Sequence, residues 1–198
     1  MYMVTKMRES KFELLRIICI LLILIMHYSY PLSQSEDIQT KIVYSNINSL
    51  GNCGVSLFVL ISGYFGIKYS FEKVGLLWGK TFFISVLTTI VAYIIQVRQF
   101  SFGYSVQSVF PILTNKYWFA TSYIILLLVS PVLNQTFDAL DKKRTEKLLM
   151  AYSLFFVIAP TILQLEILND TGKGPINMCF VYLLGRYICN PPYERKVI

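Results

Sequence analysis

Apolar residues in this chain come in long blocks and do not alternate with polar ones. The first block runs from Phe12 to Tyr30 and is stopped by Pro31 and the polar stretch SQSEDIQT. A second spans Cys53 to Ile67 behind a Gly51-Asn52 turn, and a third covers Val74 to Val97. A polar, aromatic loop follows, RQFSFGYSVQSVF, up to Pro111. The fourth block is Tyr117 to Leu133, with Pro131 near its end. The fifth is Leu148 to Leu165, where Pro160 predicts a kink because it removes a donor and clashes with the preceding turn. The sixth, Ile176 to Ile188, is short for a span and ends at Asn190-Pro191-Pro192. A helix needs about 20 apolar residues to cross about 30 Å of hydrocarbon. Strands of a membrane barrel would alternate polar and apolar over about ten residues. The pattern therefore predicts an all-α, polytopic membrane helix bundle of about six transmembrane helices. Residues 1–198 read as one transmembrane unit, with no internal repeat or low-complexity tract.

Composition agrees with that picture. The chain has 198 residues, 55% hydrophobic and only 15% charged, against about a quarter charged in soluble domains. Its mean hydropathy is +0.56. The net charge of +7 does not point to nucleic acid, because the basic residues flank apolar blocks and form no dense patch. They do set an orientation. With the N-terminus inside, every lysine and arginine falls on the inner side except Lys41, Arg98, Lys116 and Lys173. The N-terminus is accordingly expected in the cytoplasm, in a multi-pass protein of the cell membrane. The basic start MYMVTKMRESK has the charge of a signal peptide. The run behind it is too long and lacks a small-residue cleavage site, so it reads as a retained first helix. Cys19, Cys53, Cys179 and Cys189 form no CxxC pair and accompany a single histidine, so no metal site is expected.

The first block carries the candidate chemistry. His27 falls 11 positions after Arg16. At 100° per residue the two side chains lie within about 20° of one helix face, about 16 Å apart along the axis. Glu13 is one turn before Arg16 and can pair with it. Ionisable groups in such a helix should face protein or water. An imidazole can take a proton from a hydroxyl, or accept an acyl group itself. The alternatives stay open: His27 as a partner of a neighbouring helix or the headgroup layer, and Arg16 as an anchor snorkelling to lipid phosphate.

Three motifs in order resemble one family. Glu13-x-x-Arg16, then ten residues, then His27 looks like the signature first helix of the membrane acyltransferase-3 family, the O-acyltransferases of bacterial surface polysaccharides. GNCGVSLFVLISGYF, Gly51 to Phe65, is similar to that family's second helix. YWFATSYIILLLVSPVLN, from Tyr117, resembles the W-F … Y … P-x-L-N helix of its polysaccharide-acetylating branch. The resemblance implies an acyl group taken from cytoplasmic acetyl-CoA and delivered to a sugar hydroxyl of a polysaccharide or lipid-linked glycan beyond the bilayer, with no bound cofactor. It assigns His27, Arg16 and Glu13 to catalysis. Arg16, Lys68 and Lys73 would hold the acyl-CoA. Tyr28 and Ser29, from their position just after His27, would hold the acceptor together with Ser62, Tyr64 and Trp118 of the matching motifs.

Each of these has a plainer reading. Ser62-Gly63-Tyr64, with Gly51, Gly54 and Gly66, also suits close helix packing. Trp118 with Tyr117 suits an interfacial aromatic belt, and Lys142-Lys143-Arg144 an inner topology anchor. Arg186 is either such an anchor or a charge facing a pore. The chain also departs from the family. The loop IKYSFEKVGLLWGK offers Lys68, Lys73 and Lys80 where the family carries R-x-x-R, so it supplies charge without the planar fork of arginine. Ser56 stands where many relatives have an acidic residue. The family is also longer, with more helices, which implies that this chain is its N-terminal portion, truncated at the C-terminal side. The runner-up readings are an inactive fragment, a small transporter-like bundle, or a structural partner in an envelope complex. Acidic residues lie in loops and at helix ends, which disfavours a proton path.

Overall fold

The computed structural model describes residues 10–164 and 172–189. The basic start before Ser10, the end of the fifth block at Leu165 and the Asn190-Pro191-Pro192 terminator lie outside them. The described residues are all-α. In chain order they form α1 (Ser10–Leu32), α2 (Ile38–Phe65), α3 (Phe71–Ile94), the short α4 (Phe102–Val109), α5 (Trp118–Ala139), α6 (Lys142–Ser153), a π-helical turn (Leu154–Ile158), α7 (Ala159–Leu163) and α8 (Pro175–Cys189). Among the described residues five helices are long and apolar enough to cross a membrane: α1, α2, α3, α5 and the continuous run Lys142–Leu163. The sixth block is α8, whose 15 described residues are too few for a span. The chain is a multi-pass membrane protein.

The ends of the helices follow local chemistry. Asp37 caps α2 by accepting from the Thr40 amide at 2.9 Å, and Asp141 caps α6 by accepting from the Arg144 amide at 2.7 Å. Gly66 closes α2 at φ +71°, and its amide donates back to the Gly63 carbonyl. Proline is absorbed in two ways. Pro131 cannot donate to the Leu127 carbonyl, and the Ser130 hydroxyl takes that carbonyl at 2.8 Å instead. At Pro160 the ladder widens into the π turn Leu154–Ile158 just before it, and the Thr161 hydroxyl donates to the Val157 carbonyl at 2.6 Å.

Two expectations are corrected. No turn occurs at Gly51-Asn52, because α2 starts at Ile38 and passes straight through. Those glycines let α1 come close. A Cβ on Gly51 would stand 2.7 Å from Met26 Cβ, and one on Gly54 2.7 Å from Leu22 Cβ. The stretch between the third and fourth blocks is also not all loop. Phe102–Val109 is helical, tied to α3 by Tyr93 donating to the Ser101 carbonyl at 3.1 Å and by the Thr89–Ser108 hydroxyl pair at 2.7 Å.

Helix α1 packs along α2, α2 along α8, and α5 between α8 and α3. The α2–α8 contact is backbone to backbone at Gly63 and Gly185, where a Cβ on either would strike the other helix's carbonyls. The core between them holds Met26, Val55, Val59, Leu126, Met178 and Tyr182. The outward faces of α1 and α3 are apolar and exposed, as lipid-facing surfaces are.

Candidate functional site

The candidate residues separate into two groups at opposite ends of the bundle. At the end where α1 begins, Arg16 donates to Glu13 Oε1 at 2.8 Å, and its guanidinium lies 5.5 Å from the centre of the Phe65 ring. Phe12 packs on Tyr64 and Phe65 at ring distances of 4.9 and 4.7 Å, which holds the start of α1 against the end of α2. Lys68, on the turn just beyond, and Lys73, in the first turn of α3, are both exposed, and the Lys73 ammonium donates to the Lys68 carbonyl at 3.0 Å. Arg16 and both lysines thus share one end. Tyr64 is here too, and not with His27.

His27 lies toward the other end of α1. It is exposed and opens into a cavity of about 280 Å³ between α1, α3 and the start of α5. Thr81, Ile84, Lys116, Tyr117 and Trp118 line the same cavity. The predicted spacing holds in that α1 is unbroken from Glu13 to His27. Residues Cys19, Met26 and Ser29 form the buried side of α1, and Arg16 and His27 stand off it. Tyr28 is 75% exposed beside His27. Ser29 is 1% exposed and turned into the α1–α2 seam, donating to the Met26 carbonyl at 3.1 Å while Asn48 reaches the same carbonyl at 2.7 Å.

Trp118 divides the His27 cavity from a smaller one of about 120 Å³, lined by Asn52, Ser56, Lys173 and Asn177. The Lys173 ammonium lies 5.8 Å from the indole centre. Ser62 sits deeper, donating to the Phe58 carbonyl at 3.0 Å and sharing a 3.2 Å hydrogen bond with the Tyr123 hydroxyl.

Several residues of the site escaped the sequence. Tyr182 donates to Asn134 Oδ1 at 2.6 Å and accepts from the Ile67 amide at 3.0 Å, while Asn134 donates to the Ile67 carbonyl at 3.1 Å. This node joins the segment just after α2 to α5 and α8. Its one sequence signal was the asparagine of Pro131-x-Leu133-Asn134, a costly residue in an apolar helix unless bonded. Arg186, left open above, pairs with Asp138 at 3.1 Å and lies against Phe137. It ties α8 to the end of α5. Lys116 had been counted only as an outer charge, yet it lines the His27 cavity.

Among the described residues no group of three or more His, Cys, Asp or Glu side chains is gathered to hold a metal. Compared with known proteins, residues 9–195 match the acyltransferase-3 family, an acyltransferase domain. No curated protein and no solved structure matches the chain.

Proposed function

This chain belongs to the acyltransferase-3 family, and from that premise we propose that it moves an acetyl group from acetyl-CoA to a sugar hydroxyl of a surface polysaccharide or its lipid-linked precursor. In this reading the end carrying Arg16, Lys68 and Lys73 faces the cytoplasm across the cell membrane, as the distribution of basic residues favours. Residues 1–198 act as one acyltransferase unit. Acetyl-CoA is a substrate here, not a resident cofactor.

The observation that carries the proposal is the placement of His27. The only histidine of the chain opens into a cavity that Lys116 and Trp118 also line. Its imidazole accepts the proton of the acceptor hydroxyl as that oxygen attacks the thioester carbonyl. The C–S bond then breaks, and the coenzyme thiolate leaves and takes up a proton. Arg16, oriented by Glu13, grips phosphate oxygens of the coenzyme with its planar fork, and Lys68 and Lys73 add charge. About 16 Å separates Arg16 from His27 along α1, a distance suited to the extended pantetheine arm. Tyr28 and Trp118 contact the sugar at the far end. Ser29, Ser62 and Tyr64 hold the helix seams that fix those contacts.

The test is label transfer from acetyl-CoA into glycan in membranes holding equal amounts of the unmutated chain or His27→Ala. Loss of the general base should lower the rate by about 10²–10⁴-fold with insertion unchanged. Equal transfer by both chains removes His27 from the chemistry.

A further inference from the structure

Lys116 is held in place far more elaborately than a topology charge requires. It follows Asn115, which adopts the left-handed conformation at φ +54°, tolerated by asparagine. Its amide donates to the Pro111 carbonyl at 3.0 Å. Its ammonium donates to Ser108 Oγ at 2.6 Å and Thr89 Oγ1 at 3.1 Å and lies 4.1 Å from the centre of the Tyr104 ring. The guanidinium of Arg98 lies 4.1 Å from the centre of that same ring. Two cations thus share one aromatic side chain, and among the described residues neither is paired with a carboxylate. Like charges gathered in this way repel, and an anion between or beside them relieves the repulsion. The surroundings are polar in a consistent direction. Thr81, Ser85 and Thr89 follow one another at every fourth position of α3, from the His27 cavity to the Lys116 ammonium. Of these, Ser85 is fully buried, and its hydroxyl has no partner among the described residues.

We infer that Lys116, supported by Arg98 across Tyr104, is a specificity-determining residue that seats an anionic oxygen group of the acceptor, so that the preferred acceptor is an acidic glycan. This rests on the acyl-transfer reading for the word acceptor, but not for the binding itself. The neutral hydroxyls of Ser108 and Thr89 fix the ammonium without neutralising it. They leave its charge available to a carboxylate or phosphate of a glycan that also occupies the cavity Lys116 lines with His27. Thr89 stands two helical turns, about 12 Å, along α3 from Thr81 of the His27 cavity, so the acidic group and the acylated hydroxyl belong to different sugars of one extended glycan.

The experiment uses the full chain in discs of zwitterionic lipid. Trp118 lines the cavity, so its fluorescence reports occupancy once the other tryptophan is removed by Trp78→Phe. A uronate-containing disaccharide, its neutral counterpart and inorganic pyrophosphate are titrated in turn. The uronate should bind about tenfold or more tighter than the neutral sugar, the scale of one hydrogen bond to a charged group. That advantage should vanish in Lys116→Gln, return in Lys116→Arg and shrink as salt rises. Preference for pyrophosphate over the uronate, with the same dependence on Lys116, assigns the seat to the phosphate of a lipid-linked acceptor. Equal affinity for acid and neutral sugars and for pyrophosphate overturns the inference, as does an advantage that survives in Lys116→Gln. So does a site that responds to anionic lipid alone. Because binding is read without turnover, acid-selective binding in a chain that transfers no acetyl group would leave this inference standing and sink the transfer reading.

Discussion

In the proposed mechanism Arg16 and His27 do different work although they stand on one helix. Arg16 has a carboxylate one turn away and an aromatic ring beside it, which orient its fork and leave it partly exposed. Arg16→Lys keeps the charge and loses the bidentate geometry. The KM for acetyl-CoA should rise about tenfold or more while kcat changes less, read from initial rates at saturating acceptor. A second residue reports on the fold alone. Hydrogen bonding first to the Thr40 side chain and then to the Thr40 amide holds the Asp37 carboxyl below the usual aspartate range. A carboxylate with a lowered folded pKa stabilises above its unfolded value and loses that contribution as pH falls through the folded one. Protection of the Thr40 amide from exchange should therefore fall in acid and be absent at every pH in Asp37→Ala. The spacing of Arg16 and His27 was legible in the sequence because one helix carries both and periodicity is fixed. The setting of Lys116 was not. Its partners Thr89, Ser108 and Tyr104 come from α3 and α4, and serines and threonines among apolar residues read equally well as small packing residues.

The elements divide the glycines into two kinds. Gly63 and Gly185 stand where α2 and α8 meet backbone to backbone, so any added carbon meets a carbonyl that cannot swing away. Gly63→Ala should destabilise the bundle by about 1–3 kcal/mol, the cost of overpacking, and lower the midpoint of thermal unfolding in detergent. Gly75 and Gly79 on α3 have nothing within 4 Å of an added carbon. Gly75→Ala should leave the midpoint unchanged or raise it, by up to about 1 kcal/mol of helix propensity. The sequence showed the apolar blocks and the irregularity at Pro160, because length and proline act locally. It hid the start of α2. Residues 38–52 are too polar to count as span, yet Asp37 caps them and Asn48 binds them to α1. It hid α4 as well, since eight residues are too few to hold a helix alone in spite of the Ser101 cap, and Tyr93 and Thr89 of α3 hold them in place.

At the scale of the molecule, the bundle puts a cationic group of side chains at one end and the His27 cavity toward the other, connected by α1. Charge counting favours the Arg16 end as the one toward the cytoplasm, as proposed above, and the family match names the chemistry class. Neither could show that Trp118 separates two cavities, because that depends on how α1, α2, α3, α5 and α8 meet in space. The account's central claim is that an acyl group enters at the Arg16 end and is used at His27. The most direct test is a sealed vesicle carrying the oriented chain, with labelled acetyl-CoA on the Arg16 side only and glycan on the other side only. The account predicts label on the far glycan that requires His27 and is lost in His27→Ala. Label that stays on the acetyl-CoA side, or crosses equally well without His27, contradicts it.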